Sequence, residues 1–473
     1  MPSTPAAPPA DPLLRASATE LLDLLRTRQV SAVELLGVVL RRADEITGTV
    51  NPFALRLDDT ALAAAEESDD RLRRGLARPL EGLPISAKDS QWLAGVPTTS
   101  GSLARADFVP TGTVGAVRRM LEAGAVLFAK TTTSEFCYSG ISTAATFGTT
   151  ANPHDLSRTA GGSSGGAAAH VAAWAGPVAL GGDGGGSIRI PAAFCGLVGH
   201  KPTFGLVPHE PSGPGWKTLI GVGPITRTVA DAELVLGVLA GFDRHDRGSV
   251  GPGEPSSARW PPTVAVSPDL GFAPVDDDVR RAFDEAVRAL ADSGVQILRA
   301  TPKVTNSVAT WATIATSEAR WAEAVEYEQH PELLSESVRA YLAFGETITA
   351  EQYVRAQYER DRIHTAYADF FAATGASALF TPTLGCVAFD GTRAYPEQIG
   401  GVPVDDLWRD WAPMLCDANL AGLPALSVPI GADPSGLPIG GQLLGPRLSD
   451  PQLLRIADTL TAALRTPAWA YGR

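Results

Sequence analysis

Cysteine is scarce in this chain, four residues in 473, and Cys137, Cys195, Cys386 and Cys416 form no C-x-x-C pair and no metal-ligand spacing with histidine. No thiolate metal centre is therefore expected, and reduced thiols in a cytoplasmic protein are the natural reading. Long apolar runs are missing as well, which excludes a membrane-spanning helix. Positive charge is in deficit: 39 lysines and arginines face 52 acidic residues, a formal net charge of −13. Such a surface disfavours nucleic acid and anionic membrane as partners. The chain shows no internal repeat and no nucleotide fingerprint, so neither a cofactor nor a metal is expected. Met1 to Pro12 lacks the basic start and apolar centre of a signal peptide. We read residues 1–16 as a disordered tail and 17–473 as one domain, with a helical excursion near 243–375.

Glycine and serine, by contrast, are concentrated where chemistry is expected. Between Gly161 and Ser187 the chain writes GGSSGGAAAHVAAWAGPVALGGDGGGS, two glycine-serine loops around an apolar stretch. Glycine lets backbone approach a substrate closely. In Gly184-Gly185-Gly186-Ser187 the consecutive N–H groups can converge on one point, a nest suited to a developing oxyanion. Val178 to Leu180 reads as a short buried strand, and Ser187 to Pro191 as a turn entering another element. Serine needs a base to become a nucleophile. None of the seven histidines, His154, His170, His200, His209, His245, His330 and His364, lies in a local pattern that reads as one. Lysine can take that role once burial lowers its pKa, and serine-lysine catalysis is an established variant. Lys88 closes the apolar segment Leu83 to Ala87, where a strand delivers it to the interior. An ion pair with the adjacent Asp89 at the surface is the alternative.

Three linked motifs then carry a family resemblance. They are Gly82-Leu83-Pro84-Ile85-Ser86-Ala87-Lys88-Asp89, Gly161-Gly162-Ser163-Ser164-Gly165-Gly166, and Gly182-Asp183-Gly184-Gly185-Gly186-Ser187-Ile188-Arg189 with its continuation to Gly196. In order and separation they resemble the amidase signature family. Further likeness follows in Leu197 to Leu206, Asn419 to Ala425 and Gly436 to Gln442. The resemblance implies an amidohydrolase that cleaves a carboxylic amide through an acyl-enzyme. It makes Ser187 the nucleophile, Ser163 the proton relay after a cis peptide bond, and Lys88 the terminal base. The N–H groups of Gly184, Gly185, Gly186 and Ser187 would form the oxyanion hole. Ser164, Asp183 and Arg189 receive supporting roles, with a purely structural role left open.

Other motif readings are weaker. Gly161-Gly162-Ser163-Ser164-Gly165 fits a G-x-S-x-G nucleophile elbow, but that elbow follows an apolar strand, and Asn152 to Arg158 is polar and contains proline. A phosphate loop needs a G-K-[ST] ending, which Gly165-Gly166-Ala167 lacks. A flexible linker would not lead straight into the alanine-rich helical run Ala167 to Trp174.

The expected fold is α/β, the amidase signature fold, with a central mixed β-sheet covered by helices on both faces. Capping boxes at Ser17/Glu20 and Ser31/Glu34 open two amphipathic helices. Val114 to Ala123 reads as helix, Ala125 to Ala129 and Thr263 to Val266 as strands, and Asn306 to Ala373 as mostly helical. The expected partner is a small-molecule amide, with a homodimer left open. Trp216, Trp311, Trp321, Trp408 and Trp411 are candidates for an aromatic wall favouring aryl or bulky acyl groups, each against a core-packing alternative. Cys137 either lines the pocket or packs as a small apolar side chain. A second reading makes the chain the A-type subunit of a glutamine-dependent amidotransferase, which would need companion chains.

Overall fold

The structure, a computed structural model, describes residues 9–212, 215–253, 260–405 and 411–464. Eleven strands build one sheet: β1 (Phe53–Arg56), β2 (Pro84–Lys88), β3 (Val126–Thr131), β4 (Val178–Asp183), β5 (Val198–Lys201), β6 (Gly221–Thr226), β7 (Thr263–Val266), β8 (Gln296–Arg299), β9 (Ala378–Pro382), β10 (Ala425–Ala432) and β11 (Pro438–Leu444). Their spatial order is β1-β3-β2-β4-β6-β5-β10-β11-β9-β7-β8. The sheet is mixed. β2 runs parallel to β3 and β4, and β7 runs parallel to β8 and β9, while the central pairs from β4 to β9 are antiparallel.

Strand side chains alternate between faces, and here each face has its own core. Val178 and Leu180 of β4, Val264 and Val266 of β7, and Ala378 and Phe380 of β9 join one cluster. The intervening Ala179, Ala265 and Leu379 join the clusters on the other side. Strands buried on both faces need not alternate polar with apolar residues, which is why they read as short continuous apolar runs. Helices Ala18–Arg26, Ala32–Thr47, Asp277–Asp292 and Asp450–Leu464 contribute to the first core. Helices Gly165–Ala172 and Arg189–Phe194 contribute to the second face.

Both capping boxes are formed: the Ser17 and Ser31 hydroxyls accept from the N–H groups of Glu20 and Glu34, whose carboxylates accept in return from the cap backbone. Two boundaries differ from expectation. Residues 1–8 of the expected tail lie outside the described residues, but Pro12–Arg15 is helical, capped by Asp11, with Leu14 buried. Order therefore begins before Ser17, because Leu14 has a core to enter. The expected helical excursion also starts later. Within 243–375, β7, β8 and the helix Asp277–Asp292 belong to the sheet layer, and the purely helical part runs from Val308 to Thr374. Among the described residues, no helix is long and apolar enough to cross a membrane.

Candidate active site

β2 and β4 are parallel neighbours, in register at Ile85–Val178, Ser86–Ala179 and Ala87–Leu180. Their carboxyl ends therefore leave the sheet side by side, the usual place for a ligand crevice in α/β proteins. Lys88 is the last residue of β2, and β4 runs directly into the Asp183–Ser187 loop. The helix Gly165–Ala172 begins just after Ser163 and Ser164. The Lys88 Nζ donates to Ser163 Oγ at 2.6 Å and lies 3.4 Å from the Gly182 carbonyl oxygen. The Gly162–Ser163 peptide is cis, as the resemblance implies. The two glycine-serine loops are tied together by the Ser164 N–H, which donates to the Ser187 carbonyl at 3.1 Å. Ser142 holds the first loop from behind, donating to the Ser163 carbonyl at 3.1 Å and accepting from the Gly165 N–H at 2.8 Å. Lys88, Ser163 and Ser187 line one cavity of about 50 Å³.

Burial lowers the pKa of Lys88, against the Cys137 thiol and the Asp183 carboxylate, which favour the ammonium. Its surroundings thus promote the neutral amine that can accept a proton. The alternative pairing with Asp89 does not form: Asp89 faces Lys130 at 3.3 Å, and both are buried. Other buried lysines make different contacts. Lys130 also donates to Thr98, and Lys201 donates to the Pro202 carbonyl, whereas Lys88 reaches a serine hydroxyl. Among the described residues, His209 is the one histidine lining the cavity. His170 is engaged structurally between Ser86 and the Ala175 carbonyl.

The glycine loop is fixed from beneath by a buried ion network. Asp183 and Arg189 are both fully buried and pair through two contacts of 2.9 Å. Arg189 also donates to Gln442, Asn419 and the Leu415 carbonyl, and the Asn419 amide donates back to Asp183. Burial opposes the charge on Asp183, but the Arg189 guanidinium outweighs it and holds the carboxyl well below the usual range. The carboxylate accepts from the N–H groups of Gly186 and Ile188 at 2.7 and 3.2 Å. This corrects one expectation: the Gly186 N–H is engaged by Asp183 and is not offered to an oxyanion. Among the described residues, the N–H groups of Gly184, Gly185 and Ser187 meet no acceptor. Glycine is required in the loop because aromatic rings press on it. A Cβ on Gly185 would stand 2.6 Å from Cζ2 of Trp311, whose Nε1 donates to the Gly184 carbonyl at 2.8 Å. Asp183→Asn removes the charge partner of a fully buried guanidinium, so a loss of about 3 to 5 kcal/mol in stability is expected from urea unfolding. A loss below about 1 kcal/mol would show that the network carries little.

The remaining candidates divide. Trp216 and Cys137 line the cavity, so the thiol is in the pocket and not in the core. Trp311 and Trp411 are fully buried, Trp321 is 78% exposed, and Trp408 lies outside the described residues. Sequence reasoning passed over several groups. Asn419 and Gln442 stand inside segments quoted for the resemblance, so a signal for them was present. Arg105 and Glu323 line the cavity as an ion pair, with Glu326 a second partner of Arg105 at 2.7 Å and the Tyr138 hydroxyl donating to Glu323 at 3.2 Å. Burial pushes the Glu323 carboxyl up to about 8, with Arg105 opposing. Gln91 and His209 also line the cavity. These four come from four separate segments, and only the folded chain brings them together.

The family model described as Amidase matches residues 34–454. The chain is 33% identical to the A-type subunit of the glutamyl-tRNA(Gln) amidotransferase of Gloeobacter violaceus, covering 96% of this chain and 98% of that protein. It is 32% identical to an acylamidase of Rhodococcus erythropolis, covering 94% and 95%. A bacterial aryl acylamidase of the amidase signature enzymes superposes with a TM-score of 0.90 at 26% identity, covering 98% of each chain.

Proposed function

Because the chain belongs to the amidase signature family and is an amide-hydrolysing enzyme, we propose that it cleaves the C–N bond of a small carboxylic amide through Ser187, Ser163 and Lys88. The observation that carries this reading is the 2.6 Å hydrogen bond from buried Lys88 to Ser163, in the cavity that Ser187 also lines. Neutral Lys88 accepts a proton by way of Ser163 as the Ser187 oxygen attacks the carbonyl carbon. The N–H groups of Gly184, Gly185 and Ser187 receive the tetrahedral oxyanion. The relay then runs in reverse and protonates the departing amine, which an amide requires because its nitrogen leaves poorly as an anion. Water hydrolyses the acyl-Ser187 ester and releases the acid.

Phe136 and Trp216 in the cavity wall support aryl or bulky acyl amides as the substrate class, in line with the acylamidases among the relatives. The free thiols of all four cysteines support action in the cytoplasm. The test is product detection by mass spectrometry from a panel of anilides, primary amides, carbamates and hydrazides, with Ser187→Ala as control. Turnover of anilides by the purified chain, lost in the control, is expected. No turnover of any member would overturn the stand-alone reading.

Similarity to the A-type chains of amidotransferases over 96% of this chain favours a second reading, in which the site releases ammonia from glutamine for a partner enzyme. Glutamine cleavage that appears only with companion chains would establish it.

A further inference from the structure

Two polar side chains that line the catalytic cavity each carry a buried atom without a hydrogen-bond partner among the described residues. Gln91 is 2% exposed, and its Oε1 is buried and meets no hydrogen-bond donor among the described residues. Its N–H donates to the Lys88 carbonyl at 2.8 Å, a tight turn that holds the side chain beside the proposed base. The amide lies against Gly182, close enough that its Nε2 would be 3.3 Å from a Cβ built there. His209 Nδ1 is likewise buried without a partner, although the His209 backbone is pinned by Asp246 at 2.8 Å. Burial holds the His209 imidazole down to about 4, so it is neutral near pH 7. Buried polar groups are normally satisfied, and an unmatched one costs stability. Two such groups in one catalytic cavity indicate that the matching group arrives with the substrate.

The space around them gives the direction. The cavity at Ser187 measures about 50 Å³, too little for a drug-sized ligand. A second chamber of about 450 Å³ adjoins it and shares His209 and Ile220 as wall. His209 and Ile220 therefore stand between the reacting atoms and the larger space, with Gln91 in the wall on the catalytic side. Ile220 reaches to 3.4 Å from the same point above Gly182 that Gln91 approaches, so the Gln91 amide lies beside a side chain that both spaces share.

Resting on the amidase reading above, we propose that Gln91 and His209 are specificity-determining residues that hydrogen-bond a neutral polar group of the substrate, an amide, urea or hydroxyl placed beyond the scissile bond toward the second chamber. Gln91 Oε1 accepts the N–H or O–H of that group. The neutral imidazole supplies one donor and one acceptor nitrogen. A hydrocarbon substituent of equal size would leave both side chains unmatched, and sites built to hydrogen-bond a substrate reject the analogue that lacks the group.

The test uses matched substrates on each side of the scissile bond. Succinamoyl anilide is compared with isocaproyl anilide, and N-(carbamoylethyl)acetamide with N-isopentylacetamide, so that a carboxamide replaces an isopropyl group. In one pair at least, kcat/KM for the carboxamide member is expected to exceed that for its partner by about 10- to 100-fold. Gln91→Met, nearly isosteric, and His209→Gln are each expected to shrink that ratio, Gln91→Met to near unity. Calorimetric binding of the same four compounds to Ser187→Ala, with and without Gln91→Met, reads the preference without turnover. A preference that is absent in both pairs, or unchanged in both variants, overturns the proposal. Fluorophosphonate labelling of the wild-type chain reads the catalytic assignment separately. Absent labelling with a Gln91-dependent binding preference would sink the mechanism and leave this inference standing.

Discussion

Ser187→Ala is expected to abolish labelling by a fluorophosphonate and to lower kcat/KM for amides on the order of 10⁴- to 10⁶-fold, the range seen when a covalent nucleophile is removed from a working triad. The substitution deletes one oxygen from a residue 5% exposed at the cavity wall, so the fold should hold. Its backbone is fixed independently of that oxygen: the Ser187 carbonyl accepts from Ser164, and the preceding loop is held by Asp183. A melting temperature unchanged within about 2 °C is the accompanying expectation, since the deleted hydroxyl belongs to the cavity wall and the contacts that hold the loop are made by Asp183 and by backbone groups. The outcome separates nucleophile from bystander. Were Ser163 the attacking residue, its bond to Lys88 would survive in Ser187→Ala and labelling would continue at a substantial rate. Labelling at the wild-type rate would therefore remove Ser187 from the mechanism. Residual amide hydrolysis above the uncatalysed rate is compatible with the assignment, because the N–H groups of Gly184, Gly185 and position 187 all remain.

Some strands were legible because burial on both faces leaves a short apolar run bounded by glycine or proline, as at Val178 and Thr263. Helix starts at Ser17 and Ser31 were legible because a capping box is a local contact among four residues. The strand order was not legible, since β6 pairs with β4 ahead of β5 and no local pattern encodes that choice. The cavity divides the same way. Lys88, Ser163 and Ser187 stand in the motifs that carry the family resemblance, which implied their convergence. Gly186 was misassigned because four consecutive N–H groups look equivalent in sequence, and only Asp183, curling back from the loop's own start, distinguishes one of them. Arg105, Glu323, Gln91 and His209 sit in unremarkable surroundings along the chain. Their meaning is created by the fold, which sets an ion pair, an amide and an imidazole around a single cavity.

Lys88→Ala is expected to lower amide turnover by about 10⁴-fold and the turnover of an activated ester by about 10²-fold, within the span typical of general acid-base catalysis. The difference follows from the leaving group. Both substrates need a proton taken from Ser187, but only the amide needs one returned to its nitrogen, and in the proposed relay both transfers pass through Ser163 to the same amine. Lys88→Met keeps most of the buried volume and should show the same split, which guards against a packing artefact. The pH dependence gives a second reading. Burial sets the folded-state pKa of Lys88 below the ordinary value of 10.5, so the neutral base is present above that lowered pKa. Amide kcat/KM should accordingly rise with pH through it and decline as pH falls, as the ammonium forms and can no longer accept the proton. In Lys88→Ala that limb should flatten. Equal losses on amide and ester would remove the proton-return role from Lys88. A rising limb that persists in the variant would assign the titration to another group, with Glu323, pushed up to about 8 in the same cavity, the first to examine.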